Sequence, residues 1–277
     1  MNQIINNEKI ARKKSKIIPR LIIISGVIVF IVLLSILVFN FVIKNSEHKA
    51  SITDLQKHWN AYDYESVYNL SNDILIENPF NNTALTYHGY SAFYLAVSQI
   101  DTALSQSYLD EAINNMRNAL LNAKHSLIPQ LEYMLGKAYF YKNTITSYYY
   151  ADLAVKYLVS ARKHGYKADD IPEYLGLSYA ALGQTMESIS AFTEALLIRE
   201  SDTLLLSIAE QYCKIQQPSA AKQYLFRIIQ NSENDELIIK SRNLLANIYI
   251  DSQEYSDAKS EFELILQKNK NFADAYY

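Results

Sequence analysis

Along much of this chain apolar residues return every three or four positions, the spacing of one face of an α-helix. The stretch Glu173–Gly183, EYLGLSYAALG, is one such segment, yet Gly176 stands in its middle. There a glycine costs about 1 kcal/mol relative to alanine, so the pattern predicts a helix that passes another element too closely for a side chain. Nearer the N-terminus the pattern changes. The run LIIISGVIVFIVLLSILVFNFVI, Leu21–Ile43, is apolar on every side and carries no charge. As a helix it would reach roughly 34 Å, against a hydrocarbon core of about 30 Å, which predicts a transmembrane helix. A cleaved signal peptide has a shorter apolar core, of up to about 15 residues, closed by a small-residue site. This run continues instead into NFVIKNSE, so an uncleaved anchor is expected.

Charge then orients the anchor. Lys9, Arg12, Lys13, Lys14, Lys16 and Arg20 precede it, whereas Lys44, Lys49 and Lys57 follow. The positive-inside rule places the N-terminus in the cytoplasm and everything after Ile43 outside it. The expected organisation is a basic cytoplasmic tail (1–20), a transmembrane helix (21–43), a linker (44–50) and one folded domain (51–277). Six Gly and five Pro in 277 residues are too few turn-formers for a strand-rich fold, so the domain is expected to be all-α. A net charge of -3 offers no basic stripe for nucleic acid. The single cysteine, Cys213, excludes an intramolecular disulfide framework.

Around Gly176 the residues run Leu175-Gly176-x-x-Tyr179, then Gly183, then Ser188-x-x-x-Phe192-x-x-Ala195. The same order occurs as Leu135-Gly136-x-x-Tyr139 with Ala154, Leu158 and Ala161, and as His88-Gly89 with Ala112, Met116 and Ala119. Downstream it returns with alanine replacing glycine, as Ala209 and Tyr212 with Ala221 and Leu225, and as Ala246 and Tyr249 with Ala258, Phe262 and Ile265. The intervals 209 - 176 = 33 and 246 - 209 = 37 give the period. A degenerate first copy starts near His48, and a seventh begins at Ala273. The last complete helix, Asp257–Gln267, has no evident cap, which leads to the expectation that further chain or a partner covers that end, with a polar face formed by Lys259, Ser260, Glu263 and Gln267 as the alternative.

This pattern resembles the tetratricopeptide repeat, a helix pair of about 34 residues with the signature W-x2-L-G-x2-Y, A-x3-F and P. The resemblance covers about Ala50–Tyr277 and implies a right-handed α-solenoid of about six repeats. Two copies are long between their first and second helices, at Ala96–Tyr108 and Lys142–Tyr150. Extra helical turns packed on each other are the expectation, with a partner site on that edge as the alternative.

No HExxH, GxSxG, GxxxxGK[ST], CxxC or GxGxxG motif occurs. No catalytic residue, metal ligand or cofactor is therefore expected, and the protein is not read as an enzyme. His48, His58, His88, His125 and His164 are scattered; His88 is expected to help pack its helix and the others to be solvated. Asp169 and Asp170 precede Ile171-Pro172, where acidic side chains suit the start of a helix. In the family the first helices line a concave surface that binds peptides or protein segments. Matched position by position, the lining implied here is Thr86, Tyr90, Phe93, Tyr133, Lys137, Phe140, Glu173, Leu177, Ala180, Leu206, Glu210, Asn243 and Asn247. The family's clamp for acidic chaperone tails is missing, because its places hold Thr86, Tyr90, Met134 and Tyr133. The function implied is a membrane-tethered scaffold for a protein or peptide partner, similar to bacterial inner-membrane proteins that present such repeats to the periplasm. The alternative is an accessory subunit of a membrane enzyme or transport complex that docks through its transmembrane helix.

Overall fold

The computed structural model describes residues 31–36, 38, 51–146 and 148–272. The chain divides into two compact units, Met1–Ser51 and Ile52–Tyr277. The basic tail 1–20, most of the Leu21–Ile43 run, the whole linker 44–50 and the start of the seventh repeat lie outside the described residues. Residues 31–36 are helical (α1), and Ile31, Val32, Leu33, Leu34 and Ile36 are each about half exposed. Ser35 spends its hydroxyl on the carbonyl of Ile31, 2.8 Å away. Among the described residues no helix is long and apolar enough to cross a membrane.

The second unit consists of twelve α-helices in six antiparallel pairs, with no strand among the described residues. The pairs are α2 (Ile52–Asn60) with α3 (Tyr64–Glu77), α4 (Asn82–Ser98) with α5 (Thr102–Leu121), and α6 (Ile128–Ile145) with α7 (Ala151–Lys163). They continue as α8 (Ile171–Ala181) with α9 (Thr185–Ile198), α10 (Asp202–Lys214) with α11 (Pro218–Asn231), and α12 (Asp235–Asp251) with α13 (Tyr255–Lys268). Helix starts follow local chemistry. Asp63, Asn81, Asp101, Ser201 and Asn234 cap with their side chains, and Pro129, Pro172 and Pro218 occupy first turns, where a missing N–H costs nothing.

The close approach signalled by the glycines is real. A Cβ built on Gly176 would lie 2.5 Å from the ring of Phe192, one on Gly136 2.6 Å from Leu158 Cγ, and one on Gly89 2.5 Å from Met116 Cγ. Ala112, Ala154, Ala195, Ala209, Ala246 and Ala258 are buried in the same seams, so these small residues set how tightly each pair closes. Tyr139 is buried as well, whereas Tyr179, Tyr212, Tyr249 and Phe262 are partly covered. The two long repeats accommodate their extra residues mostly as helix: α4 runs on to Ser98 before α5 begins at Thr102, and α6 runs on to Ile145.

Each helix packs on its partner, and each second helix also packs on the first helix of the pair that follows it. First helices of neighbouring repeats also touch, in α2 with α4, α4 with α6, α6 with α8 and α10 with α12, whereas second helices make no contact of similar extent. The stack therefore bends with its first helices on the inside, and their free faces form its inner surface.

Candidate functional site on the inner face

Aromatic residues dominate the first half of that surface. Trp59 on α2 sits 5.5–6.0 Å from the rings of Tyr64, Tyr87, Tyr90 and Tyr94, and Tyr64 stacks on Tyr94 at 4.3 Å. The chain of rings continues through Phe93, Tyr141, Phe140 and Tyr174, with successive centroids 4.9–5.6 Å apart. Edge-to-face and offset contacts of this kind are worth about 0.5–1.5 kcal/mol each beyond their burial. They make a rigid surface.

A polar knot lies in the third and fourth repeats. Lys137 Nζ is 3.0 Å from Asp170 Oδ2 and 3.1 Å from the Tyr133 hydroxyl, and it also rests 4.9 Å from the Tyr174 ring. Tyr133 donates its hydroxyl to Asp170 at 2.7 Å while Tyr166 stacks on its ring at 4.7 Å. Burial first, and then the Asp170 carboxylate, push the Tyr133 phenol well above its ordinary range, so it stays a proton donor. Asp170 had been expected to serve the start of α8. It stands at the N-cap position but makes no side-chain cap bond, because Tyr133 and Lys137 take its carboxylate.

The residues implied by the family pattern fall into three environments. Thr86, Tyr90, Phe93, Tyr133 and Leu206 are buried, and Thr86 returns its hydroxyl to the carbonyl of Asn82 at 2.8 Å. Lys137, Phe140, Glu173, Leu177, Ala180 and Asn243 are half-buried, whereas Glu210 and Asn247 are exposed. Glu173 pairs with Arg199 at 3.3 Å, and although Glu210 on α10 is exposed by surface area, partial desolvation of its carboxyl by its neighbours raises it above the usual range. Sequence reasoning missed Trp59, Tyr94, Tyr141, Tyr166 and Tyr174. Their signal was the count of 23 tyrosines, which carries no position.

His88 packs its helix as expected, whereas two other histidines depart from expectation. His88 is buried, stacked on Tyr68 at 4.4 Å, with Nδ1 3.0 Å from the Ser71 hydroxyl. His164 and His58 are not simply solvated, since they pair with Glu132 at 2.7 Å and Asp63 at 2.9 Å. Glu132 is itself buried and also accepts from Ser160 at 2.7 Å, tying α6 to α7. Among the described residues no cluster of three or more His, Cys, Asp or Glu side chains is arranged to hold a metal ion.

At the N-terminal end of the inner face a pocket of about 360 Å³ opens between α2, α4 and residues 122–130. Trp59, Tyr87, Tyr90 and Leu127 supply its apolar lining, and Gln56, Asn82, Asn122 and Gln130 supply carboxamides. Five buried side-chain polar atoms among the described residues lack a hydrogen-bond partner, and two of them, Tyr90 Oη and Asn82 Oδ1, belong to this pocket.

No family model and no curated protein sequence matches the chain. Solved structures do. The chain is similar to YrrB, described as a TPR protein with an unusual peptide-binding site, with a TM-score of 0.54 and 15% identity over 74% of this chain and 97% of that one. The fold is that of a tetratricopeptide-repeat protein. Two further similar structures are of MamA, from MSR-1 (TM-score 0.52, 18% identity, 68% of this chain and 95% of that one) and AMB-1 (TM-score 0.52, 18% identity, 64% and 93%). At these identities the tetratricopeptide-repeat likeness speaks for the architecture, and the inner face described above is this chain's own chemistry.

Proposed function

We propose that the protein is a membrane-tethered scaffold that holds a polypeptide segment along the inner face of its repeats, on the extracytoplasmic side. The observation that carries the binding reading is the continuous array of aromatic rings and hydroxyls from Trp59 to Tyr174, presented by first helices whose backbones are locked by tight pairing. Rigid rings with polar tips give large contact area at little entropic cost. Support for the tether comes from the apolar Leu21–Ile43 run, from the six basic residues ahead of it, and from the uncovered apolar side chains and self-satisfied Ser35 of α1, which suit hydrocarbon surroundings.

The test is in-cell photo-crosslinking from a probe at Leu177, half-buried on α8, with one at Leu197 on α9, which is 86% exposed, as the comparison. A discrete partner band from position 177 and none from 197 is expected. Bands from 197 alone, or the same bands from both, would sink the inner-face reading.

A further inference from the structure

We propose that the pocket between α2, α4 and residues 122–130 is an anchor subsite for one uncharged apolar or aromatic residue of an extended polypeptide, whose own N–H and C=O bond to Asn82 and Tyr90. The proposal rests on the scaffold reading above and narrows it to a ligand chemistry. Its starting point is hydrogen-bond satisfaction. Tyr90 is 4% exposed, and its hydroxyl has no partner. Asn82 Nδ2 reaches the carbonyl of Asn122, 3.4 Å away, but its Oδ1 is buried and unpartnered. Buried polar groups in native proteins are paired in the great majority of cases, and an orphan weakens the free protein. Two orphans in one pocket are explained if a ligand completes them.

The required partner follows from the atoms. Asn82 Oδ1 can only accept, so it needs an N–H. Burial holds the Tyr90 phenol protonated, so it donates, and it needs a carbonyl. In an extended chain the N–H and C=O of one residue face the same edge and supply both. The walls choose the side chain. Trp59, Tyr87 and Leu127 offer apolar contact, and Lys124 is the sole charged lining residue. It is exposed at the rim. A charged ligand residue would be buried there against neutral groups at a penalty, so an uncharged one is selected. About 360 Å³ is at the lower end of small-ligand pockets. That suits a single residue rather than a folded element.

Trp59 is the only tryptophan in the chain, so its emission reports occupancy of this pocket. The full chain in detergent micelles is titrated with capped, dye-labelled heptapeptides of glycine and serine carrying one central phenylalanine, leucine or glutamate, following both dye polarisation and Trp59 emission. The phenylalanine and leucine peptides are expected to bind saturably and shift Trp59, and the glutamate peptide to bind at least tenfold more weakly. Tyr90→Phe is expected to weaken binding five- to tenfold while leaving the urea midpoint of the free protein unchanged or higher, a combination that a merely structural role would not give. Saturable polarisation without a Trp59 response, unaffected by Tyr90→Phe but abolished by Leu177→Arg, overturns the subsite and leaves the scaffold reading standing. No binding of any peptide by polarisation overturns the peptide chemistry of both.

Discussion

At the scale of single residues, two kinds of backbone demand are superimposed in the repeats. Gly176 is needed for space: its Cβ would meet three ring atoms of Phe192 at 2.5–2.8 Å, and that ring is fully buried. Gly183 is needed for conformation, with φ at +71° and nothing within 4 Å of an added Cβ. The same left-handed turn position is filled by Tyr62, Gln216 and Gln253, at φ of 58°, 55° and 63°. Each turn closes its helix with a bond back from the following amide, as from Gln217 to the carbonyl of Tyr212 at 2.9 Å and from Glu254 to that of Tyr249 at 2.8 Å. Two glycine exchanges should therefore act in opposite directions. Gly176→Ala should destabilise by about 1–2 kcal/mol, since overpacking exceeds the gain in helix propensity. Gln216→Gly should stabilise by about 0.5 kcal/mol, since relief of left-handed strain exceeds the entropy returned to the unfolded chain. Urea unfolding followed by circular dichroism reads both, and a stabilising Gly176→Ala would remove the close-packing explanation.

At the scale of elements, buried polar groups pin helices together. His88 on α4 bridges α3 and α5: it faces the Ser71 hydroxyl at 3.0 Å, the ring and carbonyl of Tyr68, and Glu111 Oε2 at 3.6 Å. Burial lowers the His88 pKa despite the opposing pull of Glu111. The unfolded chain thus takes up the proton first. Stability contributed here is complete above about pH 6.5, the ordinary histidine value, and is lost as pH falls through that value until the folded form is protonated too. The urea midpoint of the wild-type chain should accordingly drop more steeply between pH 7.5 and 5.5 than that of His88→Gln, and parallel slopes would refute the assignment. The helix pairs themselves were legible in the sequence, because glycine, alanine and tyrosine at fixed offsets encode a contact that recurs each period. The polar pins were not. Lys137 with Asp170 and His164 with Glu132 lie 33 and 32 residues apart, a separation at which sequence alone shows no pairing, and the acid at Asp170 reads locally as the start of a helix. The aromatic surface was half legible: Tyr90 and Tyr133 sat at family positions, but their burial also depends on Trp59 from α2 and on Tyr166 from the loop between α7 and α8, about 30 residues away in sequence.

At the scale of the whole molecule, the proposed tether changes what the inner face can achieve. Between Ile43 and the first solenoid residue, Ile52, lie eight residues, which span at most about 28 Å when fully extended. An anchored solenoid would therefore remain within that reach of the membrane surface. Linkers of this length give effective concentrations in the millimolar range for a partner confined to the same surface, so a segment bound only weakly in solution would still be held. On this proposal the tether would be a functional requirement, and it has a separable test. The full chain should stay with membranes after an alkaline carbonate wash, and a variant lacking residues 21–43 should be released while retaining helical circular dichroism and Trp59-reported peptide binding. Protease added outside the cytoplasmic membrane should digest the repeats of the full chain in the proposed orientation, which the positive-inside rule motivates. Release of the full chain by carbonate would remove the anchor. Protection of the repeats from that protease, with the chain still membrane-bound, would reverse the orientation and move the inner face to partners in the cytoplasm.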